Sequence, residues 1–300
     1  YTGFLLNLAA AVHEAQQARV APNMLLKTIK SDLRPTPAAR FASIQVNIPA
    51  SSFSIQNLTS GSLSLSDVTA APVSVSLDKH QALGFPLPDY DTVRMIDPTA
   101  ARDLFVDEAI KRLLETINAD VAGLITAGNF AQVISGAGED TISFDEFTQM
   151  WNTLVAAKVP VQDEDQMFLV MHNNVYRKVL ADNAFAQASQ VGDSIAAAIR
   201  RTGALGRALG VNLLYDLNMP VSSGVYTSLM FHRSAMCLVA RPMETENALG
   251  VEQITAFYDG IPIRISIGYD QLSFSKRITF DCLYGVKVIR ANHGVRHTSI

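Results

Sequence analysis

The chain has 300 residues, 48% of them hydrophobic and 17% charged. That apolar fraction is ample for a core and excludes global disorder, and the length allows one large domain or two ordinary ones. A formal net charge of −4 excludes whole-chain attraction to nucleic acid or to an anionic membrane and leaves only a local basic surface open.

Residues 1–40 read as an arm. Tyr1–Val12 is apolar without a basic leader, which makes a poor signal peptide. His13–Ala21 has the pattern of a short helix, and Pro22, Pro35 and Pro37 interrupt the rest of the arm. Phe41–Ile48 then alternates, with Ala42, Ile44, Val46 and Ile48 on one side and Ser43, Gln45 and Asn47 on the other, which predicts a strand ended by Pro49. Ser51–Ala71 is rich in Ser, Thr, Gly and Ala, with Phe53, Ile55, Leu58, Leu63 and Leu65 scattered through it. Val73, Val75 and Leu77 alternate again and predict a returning strand. Residues 41–92 therefore read as a long two-stranded ribbon with an elaborated tip. Such a hairpin is marginal alone in water, and no third strand adjoins it in sequence, so its support is expected from another subunit.

The segment 97–127 predicts one long amphipathic helix. Val106, Ile110, Leu113, Ile117, Val121 and Leu124 recur in steps of three and four, and Arg102, Asp103, Asp107, Glu108, Lys111, Arg112 and Glu115 fill the opposite face. Asp97 can cap its start and Pro98 suits the first turn. At ~1.5 Å per residue this is a rod of about 45 Å, a spar for an extended building block rather than a compact enzyme helix. Ser143-Phe-Asp-Glu146 is a capping box that opens a helix to about Ala157. Beyond Val161 short strands and helices alternate (Met167–Met171, Asn173–Leu180, Ile195–Arg201, Val211–Leu217, Ser228–Arg233, Met236–Ala240, Ile261–Ile267, Gly285–Arg290). The fold class is α+β, with no fixed repeat.

Chemistry-bearing motifs are sparse. Cys237 and Cys282 sit in apolar runs outside any Cys-x-x-Cys pair, which predicts buried free thiols and a reducing compartment. No run of about 18 apolar residues suggests a membrane-spanning helix. His293 and His297 are four apart but lack the Glu of a zinc-protease helix, and a solvated tail is the better reading. The sequence holds no nucleophile elbow, no phosphate-binding loop and no dinucleotide fingerprint. Gly203 to Gly210 reads as a loop that lets backbone approach a neighbour. Asp163-Glu164-Asp165 reads as a solvated turn, lacking the spaced oxygens of a calcium loop. Arg200, Arg201 and Arg207 fit a phosphate, a neighbouring subunit or a solvated face equally well. No cofactor, metal or catalytic residue is assigned.

This order of parts resembles the major capsid protein of tailed bacteriophages, the Hong Kong 97-type fold shared with encapsulins, over essentially the whole chain. Residues 1–40 match the N-terminal arm, 41–92 the ribbon called the E-loop, and 97–127 the spine helix. The phrase Met167-Phe-Leu-Val-Met-His-Asn-Asn-Val-Tyr-Arg-Lys-Val-Leu180 matches the opening of the A-domain. Val211-Asn-Leu-Leu-Tyr-Asp-Leu-Asn-Met-Pro220 matches a strand that ends at a proline. Tyr284-Gly-Val-Lys-Val-Ile-Arg290 matches the closing strand, next to a short tail. The resemblance implies a P-domain of 93–160 with 274–300, and an A-domain of 161–273. It implies a structural, non-enzymatic coat protein that self-assembles into pentamers and hexamers of an icosahedral shell around double-stranded DNA. The implied location is the virion, after assembly in the bacterial host cytoplasm. The other partners to consider are scaffolding, portal and cementing proteins, and no membrane.

Phe53, Ile55, Leu63, Leu65 and Lys79 are the expected intersubunit contacts. Arg19, Lys27, Lys30 and Arg34 in the arm are the candidate DNA-facing residues, where Glu14 and Asp32 are the acidic neighbours. Some members of this family cross-link an E-loop Lys to a neighbour's Asn. Lys79 and Asn292 stand in the corresponding regions, but no local pattern supports the bond. The alternatives are an encapsulin-like compartment shell and, from another class, a soluble α+β hydrolase.

Overall fold

The computed structural model describes residues 24–49, 70–88, 98–136, 141–163, 165–182, 185, 202–245, 251–258, 260–272 and 274–299. The predicted helix at His13–Ala21, the ribbon tip and the segment Ile195–Arg201 lie outside them.

Two large sheets and one long helix organise the described chain. Helix α1 (Met24–Thr28) and strand β1 (Lys30–Asp32) form the root of the arm. Strands β2 (Ser43–Pro49) and β3 (Ala70–Ser76) pair antiparallel as the ribbon, with Ser43 opposite Ser76. The chain then enters β4 (Lys79–Pro88) and helix α2 (Pro98–Ala122). The first sheet runs β1, β11 (Met236–Arg241), β14 (Ser275–Val288), β13 (Ile261–Asp270), β12 (Val251–Tyr258), with β4 on the other side of β14. All its pairs are antiparallel except β1 with β11.

The expectation that 41–92 is a two-stranded ribbon without support in its own chain is corrected here. Residues 79–88 leave the ribbon and pair with 275–284 of the same chain over ten positions. That strand was illegible as a sheet member because its partner lies about two hundred residues away in sequence. The expected boundary at 273/274 also falls inside this sheet, between β13 and β14.

Helix α2 ends at Ala122, not 127. Gly123 N–H still donates to the Ala119 carbonyl at 2.8 Å, and Asn129 Nδ2 donates to the Leu124 carbonyl at 2.8 Å, closing the end. The chain turns there because Ile125 and Phe130 are both buried in the core. The apolar stripe is as expected: Val106, Ile110, Leu113, Ile117 and Val121 are buried against the first sheet, with Leu124 partly buried beside them.

The second sheet runs β5 (Val133–Ser135), β15 (Gly294–Ser299), β10 (Val225–His232), β6 (Met167–Met171), β8 (Val211–Tyr215), β7 (Arg207–Ala208), with β9 (Val221–Ser222) on β10. Its two faces belong to different cores. Val170, Leu229 and Phe231 join α2 and the first sheet. Met167, Leu169, Met171, Leu213, Met230 and Val295 pack against α3 (Phe144–Ala156) and α4 (Asn173–Ala181). Burial on both faces explains why Met167–Met171 is a continuous apolar run rather than an alternating one. The capping box that opens α3 has both halves. Glu146 N–H donates to Ser143 Oγ at 3.2 Å and Ser143 N–H donates to Glu146 Oε2 at 2.8 Å.

The C-terminal segment is not a solvated tail. Gly294–Ser299 is a central strand of the second sheet, and His297 is wholly buried opposite Ser228. Burial lowers the His297 pKa, partly offset by Glu146 at 3.4 Å.

Candidate assembly surfaces

Side chains of the first sheet alternate between a face toward α2 and a face toward the ribbon. Even-numbered residues of β14 (Ile278, Phe280, Cys282, Tyr284) face α2, and odd-numbered ones (Asp281, Leu283, Gly285, Lys287) face the other way. On that outer face Val75, Leu77, Cys237, Val239 and Leu283 form a small core of their own, with Ile44, Val46 and Ala42 packed on it. This is the root of the ribbon. Phe41 N–H donates to the Leu77 carbonyl (2.8 Å) and Leu77 N–H to the Ala42 carbonyl (2.9 Å), and Lys287 Nζ donates to the Ser74 carbonyl (2.7 Å). Among the described residues the ribbon is therefore docked on its own subunit where it begins.

Cys237 and Cys282 lie on opposite faces of this sheet, so they cannot meet. Both are free thiols, and burial pushes them up to about 11 and about 12 respectively.

The structure places the expected contact residues unevenly. Phe53, Ile55, Leu63 and Leu65 lie outside the described residues. Lys79 is engaged in its own chain: its Nζ sits 2.8 Å from Asp120 Oδ1 on α2. Tyr284 Oη donates to the same carboxylate at 2.5 Å. Burial, then Asp120, raises the Tyr284 pKa. The reason is register: Lys79 stands opposite Tyr284, on the helix side of the sheet.

Of the four basic arm residues, Arg19 lies outside the described residues. Lys27, Lys30 and Arg34 are exposed but do not form one patch. Lys30 is in register with Cys237, on the ribbon face. Lys27 lines a groove with Ile29, Arg233 and Ile261 at the opposite face. Arg34 pairs with Asp32 at 3.3 Å.

Two features carry no signal in the sequence. The first is a buried polar junction that fixes the arm. Asp216 and Asn118 are both 0% exposed. Asp216 accepts from Leu25 N–H (3.1 Å), from Asn118 Nδ2 (3.0 and 2.9 Å) and from Asn218 N–H (2.9 Å), while Asn118 Oδ1 accepts from Leu26 N–H (3.0 Å). One carboxylate thus joins α1, α2 and the loop after β8. Arg241 adds a second fastening, with its guanidinium 3.1 Å from Asp32 Oδ1 and donating to the Asp32 carbonyl at 2.8 Å. The second feature is the β13–β14 turn, where Asp270 accepts from Leu272 N–H (3.0 Å) and pairs with Arg277. Leu272 is 94% and Phe274 70% exposed there, an apolar pair with no cover from its own chain among the described residues.

Other sequence candidates resolve locally. Arg207 pairs with Asp165 and donates to Asn212 Oδ1 at 2.7 Å, while Arg200 and Arg201 lie outside the described residues. Gly203 and Gly206 hold left-handed backbone, φ +68° and +73°, with open space around them, so conformation rather than a close neighbour in this chain calls for glycine there. Among the described residues no three His, Cys, Asp or Glu side chains gather as a metal site, and no helix is long and apolar enough to cross a membrane.

No protein-family model and no curated protein matches the sequence. Solved structures do. A structure of Mycobacterium phage Che8 is 20% identical with a TM-score of 0.59, over 87% of this chain and 85% of that one. The capsid of the cyanophage P-SCSP1u is 12% identical with a TM-score of 0.60, over 91% and 86%. The holo-SrpI encapsulin complex from Synechococcus elongatus PCC 7942 is 12% identical with a TM-score of 0.52, over 93% and 88%. The α+β architecture of ribbon, spine helix and two sheets is the tailed-phage capsid fold, the Hong Kong 97-type fold.

Proposed function

We propose that this chain is a major capsid protein that self-assembles into pentamers and hexamers of an icosahedral shell enclosing double-stranded DNA. It is the coat of a tailed-phage virion, built in the bacterial host cytoplasm. The observation that carries the reading is a ribbon that, among the described residues, is docked on its own subunit at its root alone, on a body of capsid fold with two large cores of its own. In this role the ribbon beyond its docked root reaches over an adjacent subunit, with Phe53, Ile55, Leu63 and Leu65 supplying its apolar contacts. Leu272 and Phe274 form a further contact point. Extended elements of this kind bury large area against several neighbours without one continuous apolar patch on the free subunit. The work is mechanical, so no catalytic residue is assigned.

DNA is held without sequence preference through phosphate contacts. Arg19, Lys27 and Arg34 remain candidates for that lining, and Lys30, on the ribbon face, is the weakest of the four. Scaffolding, portal and cementing proteins complete the partners to be tested. The encapsulin similarity supports a second reading, a compartment shell around a protein cargo. Negative-stain microscopy and nucleic-acid analysis of particles from the native source decide between them. Closed shells containing DNA are expected. Shells containing protein would select the compartment, and a dispersed monomer would select the soluble α+β enzyme.

A further inference from the structure

We infer that Gly285 is the seat that sets the angle of the ribbon, acting with Lys287 as a positioning pair; the link to assembly rests on the capsid reading above. Gly285 lies mid-strand in β14, opposite Val239, with backbone that any residue could adopt. Conformation therefore does not require a glycine. Space does: a Cβ at this position would sit 2.0 Å from the Ser76 carbonyl oxygen and 2.9 Å from its carbon. Ser76 is the last residue of the ribbon, and its backbone crosses the sheet directly on Gly285. The neighbouring residues on the same face hold the crossing strand. Leu283 packs with Val75 and Leu77, and Lys287 Nζ donates to the Ser74 carbonyl at 2.7 Å. The obstacle to a side chain is backbone, which cannot rotate aside as a side-chain end can. An added methyl must lift the whole ribbon root until the carbonyl retreats from 2.0 Å to the 3.4 Å of ordinary contact.

The test is a distance measurement between spin labels on the full chain. Labels go on Gln45→Cys in the ribbon and Thr116→Cys on α2, both exposed positions. Cys237 and Cys282 are each 1% exposed and stay unlabelled. Gly285→Ala is expected to keep cooperative unfolding, shift the mean distance, and lose closed shells. Gly84→Ala is the control. Its Cβ would meet the Ile278 carbonyl of the same sheet at 3.0 Å, away from the ribbon, so it should lower the thermal midpoint without shifting the distance. Lys287→Met, which adds no bulk, should broaden the distance distribution and reduce shell yield, and it decides the matter if Gly285→Ala does not fold. An unchanged distance in Gly285→Ala, or an unchanged distribution in Lys287→Met, overturns the seat. A shifted distance from a wild-type chain that forms no shells would uphold the seat and overturn the capsid reading instead.

Discussion

The spine-helix face of the first sheet and its ribbon face are built from alternate residues of the same strands, yet they do different work. On the helix face Phe280, Cys282 and Tyr284 of β14 meet Ile110, Leu113 and Ile117 in a large core fully satisfied within the chain. On the ribbon face Leu283 belongs to a core of five buried residues beside Gly285, beyond which the ribbon has no further support among the described residues. In the proposed capsid role these duties are separated: one face guarantees the fold, the other holds an element aimed at a neighbour.

The comparison breaks most visibly on the helix face. Leu113→Asp places a carboxylate where Leu113 is 3% exposed, at a cost of several kcal/mol, on the order of the whole stability margin. Loss of cooperative unfolding and of soluble subunit is expected. A soluble, cooperatively unfolding Leu113→Asp monomer would show that this stripe is not core.

Asp216→Ala is the next largest. It leaves Leu25 N–H, Asn218 N–H and the Asn118 amide without their buried acceptor, each worth about 1–3 kcal/mol. Limited proteolysis should then cut within residues 24–40 well before the body unfolds. Unchanged protection would mean that the β1–β11 pairing, the buried Leu25 and Ile29 and the Arg241–Asp32 contact hold the arm root without Asp216.

Acid sharpens the comparison because the histidines concerned lie in the body. Burial lowers the pKa of His232 and His297, and burial with Arg290 and His232 nearby pushes His293 down to about 4. Below the ordinary value of 6.5 the unfolded chain takes up protons that the folded chain refuses, so stability is full above that pH and is lost as pH falls toward 4. The thermal midpoint should drop across this window, and His293→Gln should flatten the drop. A midpoint independent of pH would place these histidines in water.

The smallest effect is expected from reductant. Cys237 and Cys282 are buried on opposite faces, so dithiothreitol should leave particle and midpoint unchanged. A dimer band on a non-reducing gel of intact particles would contradict this.

Much of the fold was legible because its signals are local. The stripe at Val106 to Val121 and the capping box Ser143–Glu146 each lie within one helix, and both are where periodicity and spacing put them. The illegible parts depend on distant partners. Gly294–Ser299 looks like a polar tail until β10 supplies Ser228 opposite His297 and α3 supplies Glu146 beside it. Lys79 looks like a free ribbon lysine until pairing with Tyr284 turns it toward Asp120. The Asp216–Asn118 junction joins residues ninety-eight positions apart, and neither belongs to a motif. Of the candidate site, composition marked the ribbon as an interaction element. Its seat at Gly285 could not be read, because a lone glycine in an apolar strand does not announce which backbone crosses it.

Sedimentation of the wild-type chain beside a variant lacking Ser51–Ala71 tests the division between a self-sufficient body and a ribbon made for neighbours. The wild type should sediment as closed shells. The variant should sediment as free subunits or small oligomers while unfolding as cooperatively as the wild type. Normal closed shells from the deletion variant would contradict the account.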